Sequence, residues 1–209
     1  FVDHMGKIVA RGDEFIPENY VGDSGYGCQE SYDELERKGV NNYLKYPSFY
    51  NEQQAVKSNP FSKDNFEYEP NGDYYICPNK ERLEYVCIIK DKTMTGYVQT
   101  FRVYEAINCQ GCLFKEKCTK GKSNRRIQVN PELERHKEIA RKNLTSEKGL
   151  EFREKRGPEI ETFYGDLKHN QKYRRIRLRG LKKAIVEMGW LTISYNLRKA
   201  TIKLTEKAA

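Results

Sequence analysis

The spacing of the cysteines limits this chain more than any other feature. Three fall close together as Cys109-x2-Cys112-x5-Cys118, and a fourth, Cys77, stands upstream in Ile76-Cys77-Pro78. Four soft thiolates complete a tetrahedral zinc site, and the Cys-x2-Cys pair is a familiar half-site. An iron–sulfur cluster uses the same donors, and thiols simply buried in a core are the third reading. In a reducing compartment such spacing points to metal before disulfides. Cys28 and Cys87 stand apart and are not expected as ligands.

The segment around the cluster, residues 48–126, reads as a β-rich insertion with polar, Asn- and Lys-rich loops. Strands are expected at Asp73 to Cys77, Leu83 to Ile89 and Val98 to Ala106. Residues 1–47 read as α/β. There we expect the end of a helix up to Val9, a strand from Glu18 to Asp23, and a tight turn at Gly25-Tyr26-Gly27, where glycine permits positive φ. A helix capped by Ser31 and stopped by Gly39 follows, and then a strand from Val40 to Tyr46. Residues 127–209 read as helical. Asn130-Pro131-Glu132 is a helix start. A second helix starts near Thr145-Ser146 and breaks at Gly157-Pro158, a third runs from Glu159, and a fourth starts near Leu181. The last has Ile185, Met188, Leu191 and Tyr195 on one face and Trp190, Ile193 and Leu197 on another, so burial is expected.

The 209 residues carry a formal net charge of +8, which favours a polyanionic partner. With 12% aromatic residues the chain can bury a core despite 33% charged residues. No apolar run is long enough to span a membrane and no signal-peptide pattern appears. A cytoplasmic location is expected. The first residue is Phe rather than Met, and the chain is expected to be a piece of a longer product.

Three further signals carry chemistry. Asp23 follows a short apolar strand and precedes Ser24-Gly25-Tyr26-Gly27. A carboxylate at the carboxyl end of a strand can hold a divalent cation, or it can cap the next turn. Glu161, Gly165 and Lys168 fall on one helix face, which pairs a possible metal ligand with a phosphate-binding cation or is ordinary surface charge. Lys168, Lys172, Arg174, Arg175, Arg177, Arg179, Lys182 and Lys183 form a basic run without an acid, interrupted by Tyr173 and Leu178. Such a run either contacts phosphates, with salt-sensitive binding, or is a solvated face.

Taken in order, these motifs resemble a known family. Val21-Gly22-Asp23-Ser24-Gly25-Tyr26-Gly27 resembles the segment carrying the second aspartate of DDE insertion-sequence transposases. Tyr75-Ile76-Cys77-Pro78-Asn79 and the Cys109–Cys118 cluster resemble the cysteine insertion of one branch. Asn130-Pro131-Glu132-Leu133-Glu134, Ala140-Arg141, Glu161-x3-Gly165-Asp166-Leu167-Lys168-His169-Asn170, Leu178-Arg179-Gly180-Leu181 and Tyr195-Asn196-Leu197-Arg198-Lys199 resemble that branch's C-terminal half. The distant-Cys, x2, x5 arrangement also resembles the iron–sulfur staple of some nucleases.

The resemblance implies an α/β, RNase H-like domain in which three carboxylates hold two Mg²⁺ ions on a DNA phosphodiester. Asp23 maps to the second acid, Glu161 to the third, Lys168 to the lysine of the Y-R-E-K signature, and Arg156 approximates its arginine. Two departures stand out: Phe152 is the nearest aromatic where the signature has tyrosine, and Gly157-Pro158 interrupts the pattern. The first aspartate has no counterpart, because Asp3 and Asp13 lie too near Asp23 to leave room for the intervening strands. The implied fold is therefore a partial RNase H-like domain, lacking its first strands and first catalytic Asp. It carries an inserted cysteine subdomain and a helical C-terminal part. The implied partners are double-stranded DNA, as transposon ends and target, and a second copy of the chain, in association with a bacterial nucleoid. The chain alone is expected not to cut DNA. The competing reading is a non-catalytic, zinc-bearing DNA-binding module.

Overall fold

A parallel strand pair sits near the start of the chain. β1 (Asn19–Gly22) runs beside β2 (Asn41–Leu44), with Gly22 opposite Leu44. α2 (Gln29–Arg37) connects them, and α1 (Val2–Val9) packs alongside. Met5, Tyr32, Leu35, Val40 and Leu44 form one buried cluster. Each such side chain removed from water contributes about 1.5–3 kcal/mol. The structure is a computed structural model. It describes residues 1–54 and 59–208, without the side chains of 159–161, 203 and 206–208.

Two local expectations are corrected here. α2 starts three residues before the expected Tyr32, with Cys28 as its N-cap, and Ser31 lies buried in the first turn. The cause is tertiary: the Gln29 side chain accepts a 2.7 Å bond from Asn130, 101 residues away, and so draws the first turn inward. Nor do Gly25 and Gly27 have positive φ. A Cβ on Gly27 would meet the Lys45 carbonyl oxygen at 2.1 Å, and one on Gly22 would meet Leu44 at 2.3 Å. Those two glycines provide close approach, not unusual torsion. Gly39, with φ +66°, does end α2 as expected.

The second sheet is antiparallel and follows chain order: β3 (Glu67–Glu69), β4 (Tyr74–Ile76), β5 (Arg82–Lys92), β6 (Val98–Ala106) and β7 (Arg126–Val129). β6 matches its expected bounds, and β5 runs three residues past Ile89. β5 and β6 form a long hairpin closed at Thr93–Tyr97, where Gly96 takes φ +85°. Phe66, Leu83, Tyr104, Ala106 and Ile127 form the core on this sheet, flanked by Cys77, Cys109 and Cys118. Two short helices flank or interrupt these strands in the chain: α3 (Phe49–Gln53) precedes β3, and α4 (Lys115–Cys118) lies between β6 and β7.

α5 (Pro131–Thr145) starts as expected, with the Asn130 side chain accepting from the Leu133 N–H at 3.0 Å. α6 (Glu147–Gly165) contradicts the expected break: it runs through Pro158. An interior proline loses one helical bond and crowds the preceding turn. Gly157 eases this, because without a Cβ it escapes the steric bias against helix before proline. A π-helical turn, Asp166–Asn170, follows, and α7 (Leu181–Ala208) ends the chain. α7 is not buried as its two apolar faces suggest: Trp190 is 68% exposed and Leu197 64%. The residues divide into two compact units, Phe1–Leu150 and Glu151–Ala209. The fold is α/β, with an antiparallel sheet and C-terminal helices.

Candidate active site and nucleic-acid interface

Asp23 stands directly past the carboxyl end of β1, in the first unit. Its backbone carbonyl accepts from the Tyr26 N–H at 3.0 Å, which shapes the one-turn 3-10 helix Ser24–Tyr26. Its side chain does not cap that turn. The carboxylate is half exposed and lies 4.0 Å from the Lys45 ammonium, at the equivalent end of β2. The parallel pair thus brings an acid and a base to the edge where ligands gather in open α/β folds.

Glu161 belongs to α6, and its side chain lies outside the described residues. Arg156 is half-buried on the same helix. Lys168 is exposed in the π-turn. That turn is wider than an α-helical one, so the face through 161 and 165 drifts before it reaches 168. Asp166 fastens the turn to α7. Its carboxylate accepts from Asn170 and Gln171 at 2.8 Å each and from Arg198. These bonds, that of Asn170 first, hold its carboxyl below the usual carboxylate range. Arg198 in turn lies over the Tyr195 ring, and Tyr195 packs edge-on against Phe163.

All eight cations of the basic run are exposed, and none forms an ion pair among the described residues. Between Asn170 and Leu181 the chain has no regular structure. Lys172 and Gly180 take positive φ, +52° and +89°, near its two ends.

The structure brings Cys77, Cys109, Cys112 and Cys118 to one cavity, with Arg125. Cys77 opens the turn after β4, which Lys80 closes with φ +62°. The Arg125 backbone N–H donates to the Cys109 sulfur at 3.4 Å, and the buried Arg125 Nε has no partner among the described residues. Burial pushes the Cys118 thiol up, and the other three thiols add to this while Arg125 opposes it. A divalent cation would reverse that balance by stabilising thiolates. The donor set fits zinc. No three of the sulfurs lie within 4.8 Å of one another, whereas a tetrahedral cage needs about 3.8 Å for a Zn–S bond near 2.3 Å. Loading would therefore draw the side chains inward.

Residues 76–201 match the family described as Transposase DDE domain. The chain belongs to that family. The match spans the four cysteines, Arg156, Glu161, Lys168 and the basic run of the DDE domain, while Asp23 precedes it. No curated protein and no solved structure matches the chain. No helix among the described residues is long and apolar enough to cross a membrane.

The chain also holds polar groups that pattern reading passes over. Asp33 and Glu36 on α2 meet His136 on α5, with ligand atoms close enough together to hold a metal ion. His136 Nε2 lies 2.6 Å from Asp33, and the Tyr97 hydroxyl donates to the same carboxylate. Arg135 already donates twice to Glu36, at 2.8 and 2.7 Å, and lies 3.3 Å from His136. A guanidinium in that position repels a cation, so the cluster works better as a lock between α2 and α5. The spacing of Asp33 and Glu36 on one helix face was visible in sequence; their partner 100 residues on was not. Asp73 is similar: it accepts from Tyr68 and Tyr104 at 2.9 Å each and from Arg102.

Proposed function

We propose that this DDE domain acts on DNA as the C-terminal part of an insertion-sequence transposase of the cysteine-bearing branch. In this reading Asp23 and Glu161 are the second and third acids of an RNase H-like, two-Mg²⁺ site. Lys168 and Arg156 contact the scissile strand. The division 1–47, 48–126 and 127–209 is then core, cysteine insertion and catalytic helices. The observation that carries this is membership of the family over residues 76–201, the stretch that holds Glu161, Lys168 and the basic run. The place of Asp23 at the mouth of a parallel strand pair supports it.

Magnesium, when bound, supplies the charge that activates a water or 3′-hydroxyl and stabilises the leaving oxygen. The chain's own contribution is carboxylate oxygens at Asp23 and Glu161 and cations that neutralise phosphates. The basic run would hold duplex DNA, both transposon ends and target, and a second copy of the chain would complete a synaptic pair.

In this reading neither aspartate upstream of Asp23 serves as the first catalytic acid. Asp3 sits on α1, paired with Lys7 at 2.9 Å, and Asp13 lies in a single 3-10 turn. Neither is on a strand. Purified chain with supercoiled plasmid and Mg²⁺ should bind DNA but leave it unnicked. Nicking that Asp23→Ala abolishes would show instead that the site is complete.

The four-cysteine cavity favours a second reading, a zinc-bearing DNA-binding module without catalysis. Elemental analysis of chain purified without added metal should give one zinc per chain, reduced by Cys112→Ser. Iron with a visible charge-transfer band would point to a cluster instead, and an empty site would remove both.

A further inference from the structure

One carboxylate holds the middle of the basic run. Glu187, in the second turn of α7, accepts the Arg177 backbone N–H at 3.0 and 3.1 Å through its two oxygens and the Leu178 N–H at 2.8 Å. The Tyr173 hydroxyl donates to the same group. The phenol first, and then the Leu178 N–H, outweigh desolvation and hold the Glu187 carboxyl below the usual carboxylate range. Glu187 is the first acidic residue after Asp166.

Its choice of partners is informative. An acid set beside eight cations would ordinarily pair with one and cancel it. Glu187 instead grips main chain and a phenol and leaves the guanidinium groups of Arg174, Arg175, Arg177 and Arg179 exposed. The segment it grips has no helix or strand of its own. Ordering such a loop on binding costs conformational entropy, and a loop already ordered avoids that cost.

We propose that Glu187 is a positioning residue for polyanion binding: by fixing residues 173–178 against α7 it presents Arg174, Arg175 and Arg177 as preset contacts for a phosphate backbone, with Arg179 next in the chain. The proposal rests on reading the basic run as a DNA-contacting segment. It sets geometry against simple electrostatics. Removing a negative charge from a cationic face tightens binding on Coulomb grounds alone; here the same change weakens it.

Fluorescence anisotropy with a labelled duplex of arbitrary sequence, over a series of KCl concentrations, separates the two. Glu187→Ala should bind roughly three- to tenfold more weakly at fixed salt, the net scale of one ordinary hydrogen bond. Its salt slope should be kept, because every cation remains. Glu154→Gln, which removes an exposed acid from α6, should bind as wild type or slightly more tightly. Tyr173→Phe, which deletes one donor and no charge, should shift affinity in the same direction as Glu187→Ala but less. It also serves if the alanine variant fails to fold. Equal or tighter binding by Glu187→Ala with wild-type helix content overturns the proposal. The double variant Arg174→Ala/Arg175→Ala tests the parent reading. If it binds as wild type, the DNA reading falls and this inference with it. If it weakens binding while Glu187→Ala does not, the positioning inference alone falls.

Discussion

His136 is 3% exposed, yet its ring nitrogen bonds Asp33 and its ring packs 5.6 Å from Tyr32. His136→Ala should therefore lower stability by about 2–4 kcal/mol, from the hole it leaves and the bond it removes; urea unfolding measures this. Asp73 makes a prediction about pH. Burial alone would raise its carboxyl, but the phenols of Tyr104 and Tyr68 and the Arg102 guanidinium outweigh it and hold the group below the ordinary carboxylate range. Its folded value is lower than the unfolded value of about 3.9, so its stabilisation is fully present above that pH and is lost as pH falls through the folded value. Asp73→Asn should flatten the acid limb of the stability profile below about pH 4, followed by far-UV circular dichroism. The place of Asp23 just past a strand was legible from the residues around it. The partners of His136 and Asp73 were not, because Asp33 lies 103 positions before His136 and Arg102 lies 29 positions after Asp73.

Elements with local signals are legible in the sequence. α5 declares itself in Asn130-Pro131-Glu132, and the Asn130 cap bond is formed. β6 is bounded by turns and holds its expected span. β7 had no local signal: its four residues become a strand only by pairing with Arg102–Glu105. α6 misled in the opposite direction, since Gly-Pro normally ends a helix and here does not. That residual conflict is testable. Pro158→Ala restores a backbone donor in an exposed helix and should stabilise α6 by up to about 3 kcal/mol, seen as a higher thermal midpoint. A fall would mean that the proline ring itself is needed for packing. α7 was legible as a helix but not as an exposed one, because periodicity reports which side chains are apolar and not what is present to cover them.

At the scale of the whole chain, the two units carry different chemistry. The cysteine cavity lies entirely in the first, and α7 with the basic run lies in the second. If zinc occupies the cavity, a chelator should lower the first unit's unfolding transition and leave the second's in place, so that calorimetry resolves two peaks moving independently. A single peak that shifts as a whole would mean that the units unfold together. The β5–β6 hairpin adds a consequence of timing. It closes over the turn at Thr93–Tyr97 and draws on neighbours close in the chain, which makes it quick to form. Domains assemble from the N-terminus as the ribosome releases them. Residue 106 emerges before Cys109, Cys112 and Cys118, and β4 by then has its pairing partner, Arg82–Glu84, so Cys77 already waits at the end of a finished ribbon. If the cavity takes zinc, the cysteines emerge after the hairpin and before β7, so the metal clasps a ribbon whose last strand is still to come, and zinc-starved cells should hold chain with its hairpin made and its clasp open.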